Sequence, residues 1–167
     1  DPIGISIDSS DNIYVADYWN NMIRKIDKSG NVTTYAGSGA SGSNDGQGES
    51  ASFNLPTGVS VDIFGNVYVA DYGNHLIRKI DPNRNVKTLA GVSGQSGSEN
   101  GNNNVAKFNS PAGLSIDSVG NIYVADQYNS HIRKITFGSD NHTYQEIFRG
   151  TTQHTVTEGT NSLNLRL

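Results

Sequence analysis

Apolar and small polar residues alternate along positions 2–8, placing Ile5 and Ile7 on one face of an extended strand and Gly4, Ser6 and Asp8 on the other. The same alternation returns with Val59 and Val61, and again with Leu114 and Ile116. A second stretch follows each time. In its first copy Ile13 and Val15 face one way while Tyr14 and Ala16 face the other. Both faces are apolar, so this strand is expected to be covered on both sides. A third stretch reads Ile-Arg-Lys-Ile in all three copies. A fourth runs through 32–37, 86–91 and, more loosely, 144–150. Clusters of Asn, Ser, Asp and Gly separate the stretches, and no window carries a helical stripe. The pattern predicts four short strands per unit, with units beginning at Pro2, Pro56 and Pro111.

Strands covered on both faces, four to a unit, pack most naturally as stacked blades. A two-layer sheet would leave one face wet, and a parallel β-helix has shorter coils. The expected fold is all-β: three four-stranded antiparallel blades of a propeller, forming one domain over residues 1–167 with blade units 2–55, 56–110 and 111–167. The small face of the first strand suits a crowded hub. Because successive antiparallel strands reverse direction, the loops between second and third strands emerge on the same face as the long connectors 38–55 and 92–110. That face is expected to be rich in loops, while the other carries mostly tight turns.

The repeated units carry a specific signature. V-A-D-x-x-N-x-x-I-R-K-I occurs three times, at 15–26, 69–80 and 124–135, and the second copy includes Asn74-His75-Leu76. The connector pattern G-x-x-G-x-x-D-G-x-G-x-x-A-x-F-N-x-P is followed closely from Ala36 to Pro56 and less strictly from Ala90 to Pro111. With these motifs the chain resembles the NHL-repeat family in its long-repeat form, over essentially its whole length and most weakly after Thr136. The resemblance implies about half of a six-bladed ring. It also implies two function classes, since relatives include protein- and RNA-binding propellers on one side and metal-dependent lactonases and an amidating lyase on the other. Three blades do not close a ring, so further blades are expected to cover the open flanks, lined by residues such as Ile13 and Tyr14. They would come from the same longer chain or from a second copy.

Charge narrows the choice. The net charge is −4, and six of the twelve basic residues sit in the repeated third strand as Arg24-Lys25, Arg78-Lys79 and Arg133-Lys134. No basic face is gathered for nucleic acid, and no apolar run reaches the ~18 residues of a membrane helix. There is no Cys, hence no thiolate metal site. Two sequons, at Asn31 and Asn141, are candidate glycosylation sites and point to an extracellular or secreted chain. The chain opens on Asp1-Pro2 without a signal segment, and reads as a mature product or a segment of a longer propeller.

The most conspicuous carboxylates are Asp17, Asp71 and Asp126 at the ends of the second strands, and Asp8, Asp62 and Asp117 at the ends of the first. A catalytic acid is needed once, whereas these recur in every blade. They are therefore read as structural, accepting backbone N–H bonds in the following turn. His75, His131, His142 and His154 show no metal-ligand spacing, and no metal or other cofactor is expected. Binding is expected instead on the loop-rich face, at Tyr18, Trp19, Asn20, Tyr72, Asn74, His75, Tyr128 and Asn129, with a protein or glycan as partner. The alternative is half of a propeller enzyme with a metal near the central channel.

Overall fold

The computed structural model describes residues 1–137, and beyond them the backbone of Thr143–Arg149, Val156–Glu158 and Asn161–Leu163. The first blade consists of β1 (Pro2–Ile7), β2 (Ile13–Asp17), β3 (Met22–Ile26) and β4 (Val32–Ala36), paired in that order. The connector contributes a two-residue strand, β5 (Gly46–Gln47). The second blade contains β6 (Pro56–Val61), β7 (Val67–Asp71), β8 (Leu76–Ile80) and β9 (Asn85–Ala90), with β5 added at its outer edge beside β9. The third contains β10 (Pro111–Ile116), β11 (Ile122–Asp126), β12 (His131–Phe137) and β13 (Thr143–Arg149). A short hairpin, β14 (Val156–Glu158) and β15 (Asn161–Leu163), follows. All strand pairs within the sheets are antiparallel, and the helical residues are single 3-10 turns. The blade architecture expected from the pattern is therefore the one formed.

Two cores hold the blades together, one at each junction. Tyr14, Ala16 and Ile23 of the first blade pack with Val59, Val67, Val69 and Ile80 of the second. The other face of the second blade packs Tyr68, Ala70 and Ile77 against Ile122, Val124 and Ile135 of the third. Every residue of β7 is buried, as its two apolar faces require. The first strands stand side by side at the hub and approach closely. A Cβ on Gly58 would lie 2.7 Å from the Ala112 carbonyl oxygen, and one on Gly4 would overlap that of Thr57. The Val61 amide donates to Ser6 Oγ at 3.1 Å, and Thr57 Oγ1 donates to the Pro111 carbonyl at 3.3 Å. The small residues at these positions are what lets backbone meet backbone.

One expectation is corrected. Tyr14 does not line an open flank. Cross-strand register places it opposite Ser6, on the face turned to the second blade, where it is buried. The open side of the first blade is the other face of the pleat, formed by Ile3, Ile5 and Ile7, all exposed, with half-buried Ile13 and Val15.

Candidate functional site

The loop-rich face is built by one repeated clamp. Asp71 ends β7 and is fully buried. Its Oδ1 accepts the Asn54 amide at 2.8 Å, and its Oδ2 accepts Asn74 Nδ2 at 2.8 Å and Arg78 Nη1 at 2.9 Å. Arg78 is also fully buried. It donates to the Ser52 and Asn44 carbonyls and to Asp45, and its guanidinium lies 5.3 Å from the Phe53 ring centroid. Asn74 reaches on to the Gly42 carbonyl. Burial pushes the Asp71 carboxyl above its ordinary value, while the donors from Asn54, Asn74 and Arg78 act the other way. The third blade repeats the arrangement with Asp126, Asn129 and Arg133 on Asn109, Gly97, Lys107 and Glu99. Each clamp thus fastens the incoming connector to the turn between second and third strands.

These contacts refine the reading of the carboxylates. Asp71 and Asp126 hold backbone of the preceding connector, 17 residues upstream, rather than the turn that follows. The local turn role belongs to Asp8, Asp62 and Asp117, each accepting three hydrogen bonds from the turn after it and a fourth from a tyrosine hydroxyl on the second strand. Asp27 and Asp81 repeat it between third and fourth strands. In the first blade Asp17 instead takes both bonds from Asn20 Nδ2 at 3.0 Å, and Arg24 donates to Thr34. Sequence reasoning missed the buried arginines. Their signal was the invariant seven-residue spacing from each Asp to its Arg, which puts the two side by side on neighbouring strands.

The binding candidates divide accordingly. Asn74 and Asn129 are spent within the clamps. His75 is half-buried in a left-handed conformation (φ 60°), and its Nδ1 accepts the Ser110 amide at 3.0 Å. The four aromatic candidates remain at the loop-rich surface. Trp19 and Tyr128 are 63% and 65% exposed, whereas Tyr18 and Tyr72 are half-buried. Tyr18 and Trp19 meet edge to face at 4.9 Å, and Trp19 Nε1 donates to Asp1 Oδ2. Tyr72 reaches from the second blade to Tyr128 of the third, with hydroxyls 3.2 Å apart and ring centroids 6.3 Å apart. That shared hydrogen bond raises the Tyr72 pKa. The aromatics therefore lie over the loops, Tyr72 and Tyr128 on turns that the clamps fasten and Tyr18 and Trp19 on the unclamped turn of the first blade.

Two further candidates concern glycan and metal. Asn31 is exposed, but its Nδ2 already donates to Asp27 Oδ2 at 2.8 Å, the same turn bond that Asn85 makes to Asp81. Asn141, His142 and His154 lie outside the described residues. Among the described residues, no three His, Asp or Glu side chains converge as metal ligands.

The His75 contact has a measurable consequence. Burial lowers its pKa below the ordinary 6.5, with Asp126 acting weakly in the opposite direction. The unfolded chain then takes up the proton first, so stability falls as pH drops through the ordinary His range towards the folded-state value. In the first blade the same place is held by Asn21, whose Oδ1 accepts the Leu55 amide at 2.8 Å without titrating. A His75→Asn variant, followed by urea denaturation at pH 7 and pH 5, is expected to lose less stability on acidification than the parent. Equal losses in both proteins would show that this bond does not titrate.

The NHL repeat family model matches residues 1–26, 53–80 and 108–135. The chain is 37% identical over 145 residues to Protein SUPPRESSOR OF QUENCHING 1, chloroplastic, of Arabidopsis thaliana, covering 80% of this chain and 14% of that protein. It is 33% identical over 172 residues to human NHL repeat-containing protein 2, covering 95% of this chain and 23% of that one. It thus spans less than a quarter of either relative. Among solved structures it is similar to a structural genomics protein of unknown function from Bacteroides thetaiotaomicron (29% identity, TM-score 0.71, 81% of this chain and 33% of that one). An auxiliary nutrient binding protein from the same organism follows at 27% identity and TM-score 0.69, over 79% of this chain and 36% of that one. Virginiamycin B lyase from Staphylococcus aureus, 16% identical with TM-score 0.58, covers 99% of this chain and 55% of that one and shares the fold.

Proposed function

Because the chain belongs to the NHL-repeat family of β-propellers, we propose that it is a non-enzymatic binding module whose loop-rich face takes a protein or glycan partner. The observation that carries this reading is the set of aromatic rings, Tyr18, Trp19, Tyr72 and Tyr128, displayed on one face, with the turns bearing Tyr72 and Tyr128 held in place by buried ion pairs. Aromatic side chains with few rotatable bonds present large contact area at small entropic cost, and they dominate binding energy where they become desolvated. A nutrient binding protein among the similar structures supports a ligand-holding role for this architecture. In this reading the module works outside the cell, and further blades complete its ring.

The competing reading, half of a metal-dependent propeller enzyme, needs hub carboxylates free to ligate. Asp8, Asp62 and Asp117 stand at the ends of the hub strands, and each already accepts three hydrogen bonds from its own turn and one from a neighbouring tyrosine hydroxyl. That favours the binding module.

The test pairs a glycan array with a display library of secreted proteins, both probed with the parent and a Trp19→Ala, Tyr128→Ala double variant. Both side chains are largely exposed, so the fold should survive their loss. Binding to retained ligands is expected to weaken about tenfold or more in the variant. A ligand held equally well by both proteins would remove the aromatic face from the site. Stoichiometric zinc or calcium in the purified protein would favour the enzyme instead.

A further inference from the structure

A repeat protein carries its own control, because positions that differ between blades at otherwise equivalent sites stand out against the scaffold. On the face opposite the loops, the turn after the first strand reads Ser9-Ser10 in the first blade, Ile63-Phe64 in the second and Ser118-Val119 in the third. Polar residues are the ordinary occupants of a hairpin apex. Here Ile63 is 82% exposed, Phe64 76% and Val119 81%. They border a groove of about 530 Å³ between the second and third blades, floored by Val61, Tyr68 and Ile116 and edged by Phe137. That volume falls within the range of small-molecule sites.

The junction between the first and second blades shows why this one is open. There Tyr35 packs edge-on against Tyr14 at 5.0 Å and its hydroxyl donates to the Asp81 carbonyl, spanning the two blades. Cross-strand register puts Leu89 in the place of Tyr35 one blade later, with neither ring nor hydroxyl to make that bridge. On the far wall β12 runs two residues longer than β8, which brings Phe137 to the rim.

The polar groups in the groove then select the ligand. Asp62 and Asp117 each accept three hydrogen bonds from their turns and a fourth from the Tyr68 or Tyr123 hydroxyl, which fills the roughly four lone-pair sites of a carboxylate. Among the described lining residues Lys79 is the one cation, and its Nζ lies 5.8 Å from the Tyr68 ring centroid. No carboxylate among the described residues comes within ion-pair distance of it. We propose that this groove is a binding site for a small apolar monoanion, a flat or aliphatic body lying between Phe64, Val119 and Phe137 with its carboxylate on the Lys79 ammonium. The proposal is independent of the loop-face reading, which concerns the opposite side of the blades.

The probe is 1-naphthaleneacetate, titrated into the full chain by calorimetry beside its neutral amide and the cationic 1-naphthylmethylamine. The acid is expected to bind at least about tenfold more tightly than either analogue, as a charge-assisted hydrogen bond implies. Lys79→Gln should abolish that preference. Phe64→Ser, which restores the apex of the first blade at an exposed position, should weaken all three ligands without disturbing the fold. Equal binding of acid and amide, tighter binding of the amine, or no binding at all overturns the proposal. So does affinity that survives Phe64→Ser and falls with Ile5→Ser, because the ligand would then be sitting on the open flank.

Discussion

Replacing Arg78 with Met is expected to destabilise the chain by about 3–5 kcal/mol, the range for removing one partner of a buried ion pair. The substitution leaves Asp71 buried with its charge unanswered, and releases the Ser52 and Asn44 carbonyls and Asp45 from the guanidinium. Arg24→Met is the matched comparison. Arg24 occupies the same register position, but it is half-buried and bonded to Thr34 and Met22 alone. Its loss should cost under about 1 kcal/mol. Urea denaturation of the two variants beside the parent measures the difference. Equal costs would mean that the connector holds its place without the arginine. Asp71→Asn should fall between the two, since an amide retains a hydrogen-bond acceptor but no charge.

The second large effect concerns the open flank. Ile3, Ile5 and Ile7 are exposed in a row beside half-buried Ile13 and Val15, whereas the corresponding face of the second blade is covered by the first. An isolated 167-residue chain is therefore expected to self-associate at micromolar concentration, with light scattering reporting a dimer or larger species. Ile5→Asp with Ile7→Asp should shift that population towards monomer while far-ultraviolet dichroism stays that of the parent, because these side chains project away from the blade's own core. A parent protein that runs as a monodisperse monomer at that concentration would refute the expectation.

Much of this structure was legible in the amino-acid order because the blades repeat. Alternation in Ile5, Ser6 and Ile7 and double-sided burial around Tyr14 and Tyr68 dictate stacked four-stranded sheets, and strand parity alone assigned the connectors and the Tyr18, Tyr72 and Tyr128 turns to one face. What stayed hidden depended on contacts between residues far apart in sequence. Repetition marked Asp71 as structural, but nothing local showed that its Oδ1 would hold Asn54 of the preceding connector rather than the next turn. The orientation of Tyr14 was misjudged because two apolar faces look alike until cross-strand register pairs it with Ser6. The groove left a trace in the apolar hairpin apexes Ile63-Phe64 and Val119, but its opening depends on what bridges the junction, where Leu89 stands in place of a tyrosine.

The direction of the clamp bears on how such a protein is made. Asp71 and Arg78 fasten residues 44–54, and Asp126 and Arg133 fasten residues 97–109, so in each case the anchor lies later in the chain than what it anchors. On a ribosome the strand bearing the anchor emerges after its target has already been released. Each clamp can therefore close on its connector as soon as the blade's third strand is free, before the fourth strand adds its own contacts to the preceding blade. A propeller of this kind can grow by successive sealing from its N-terminal side, leaving only the first blade's open flank and the newest edge for chaperones to guard.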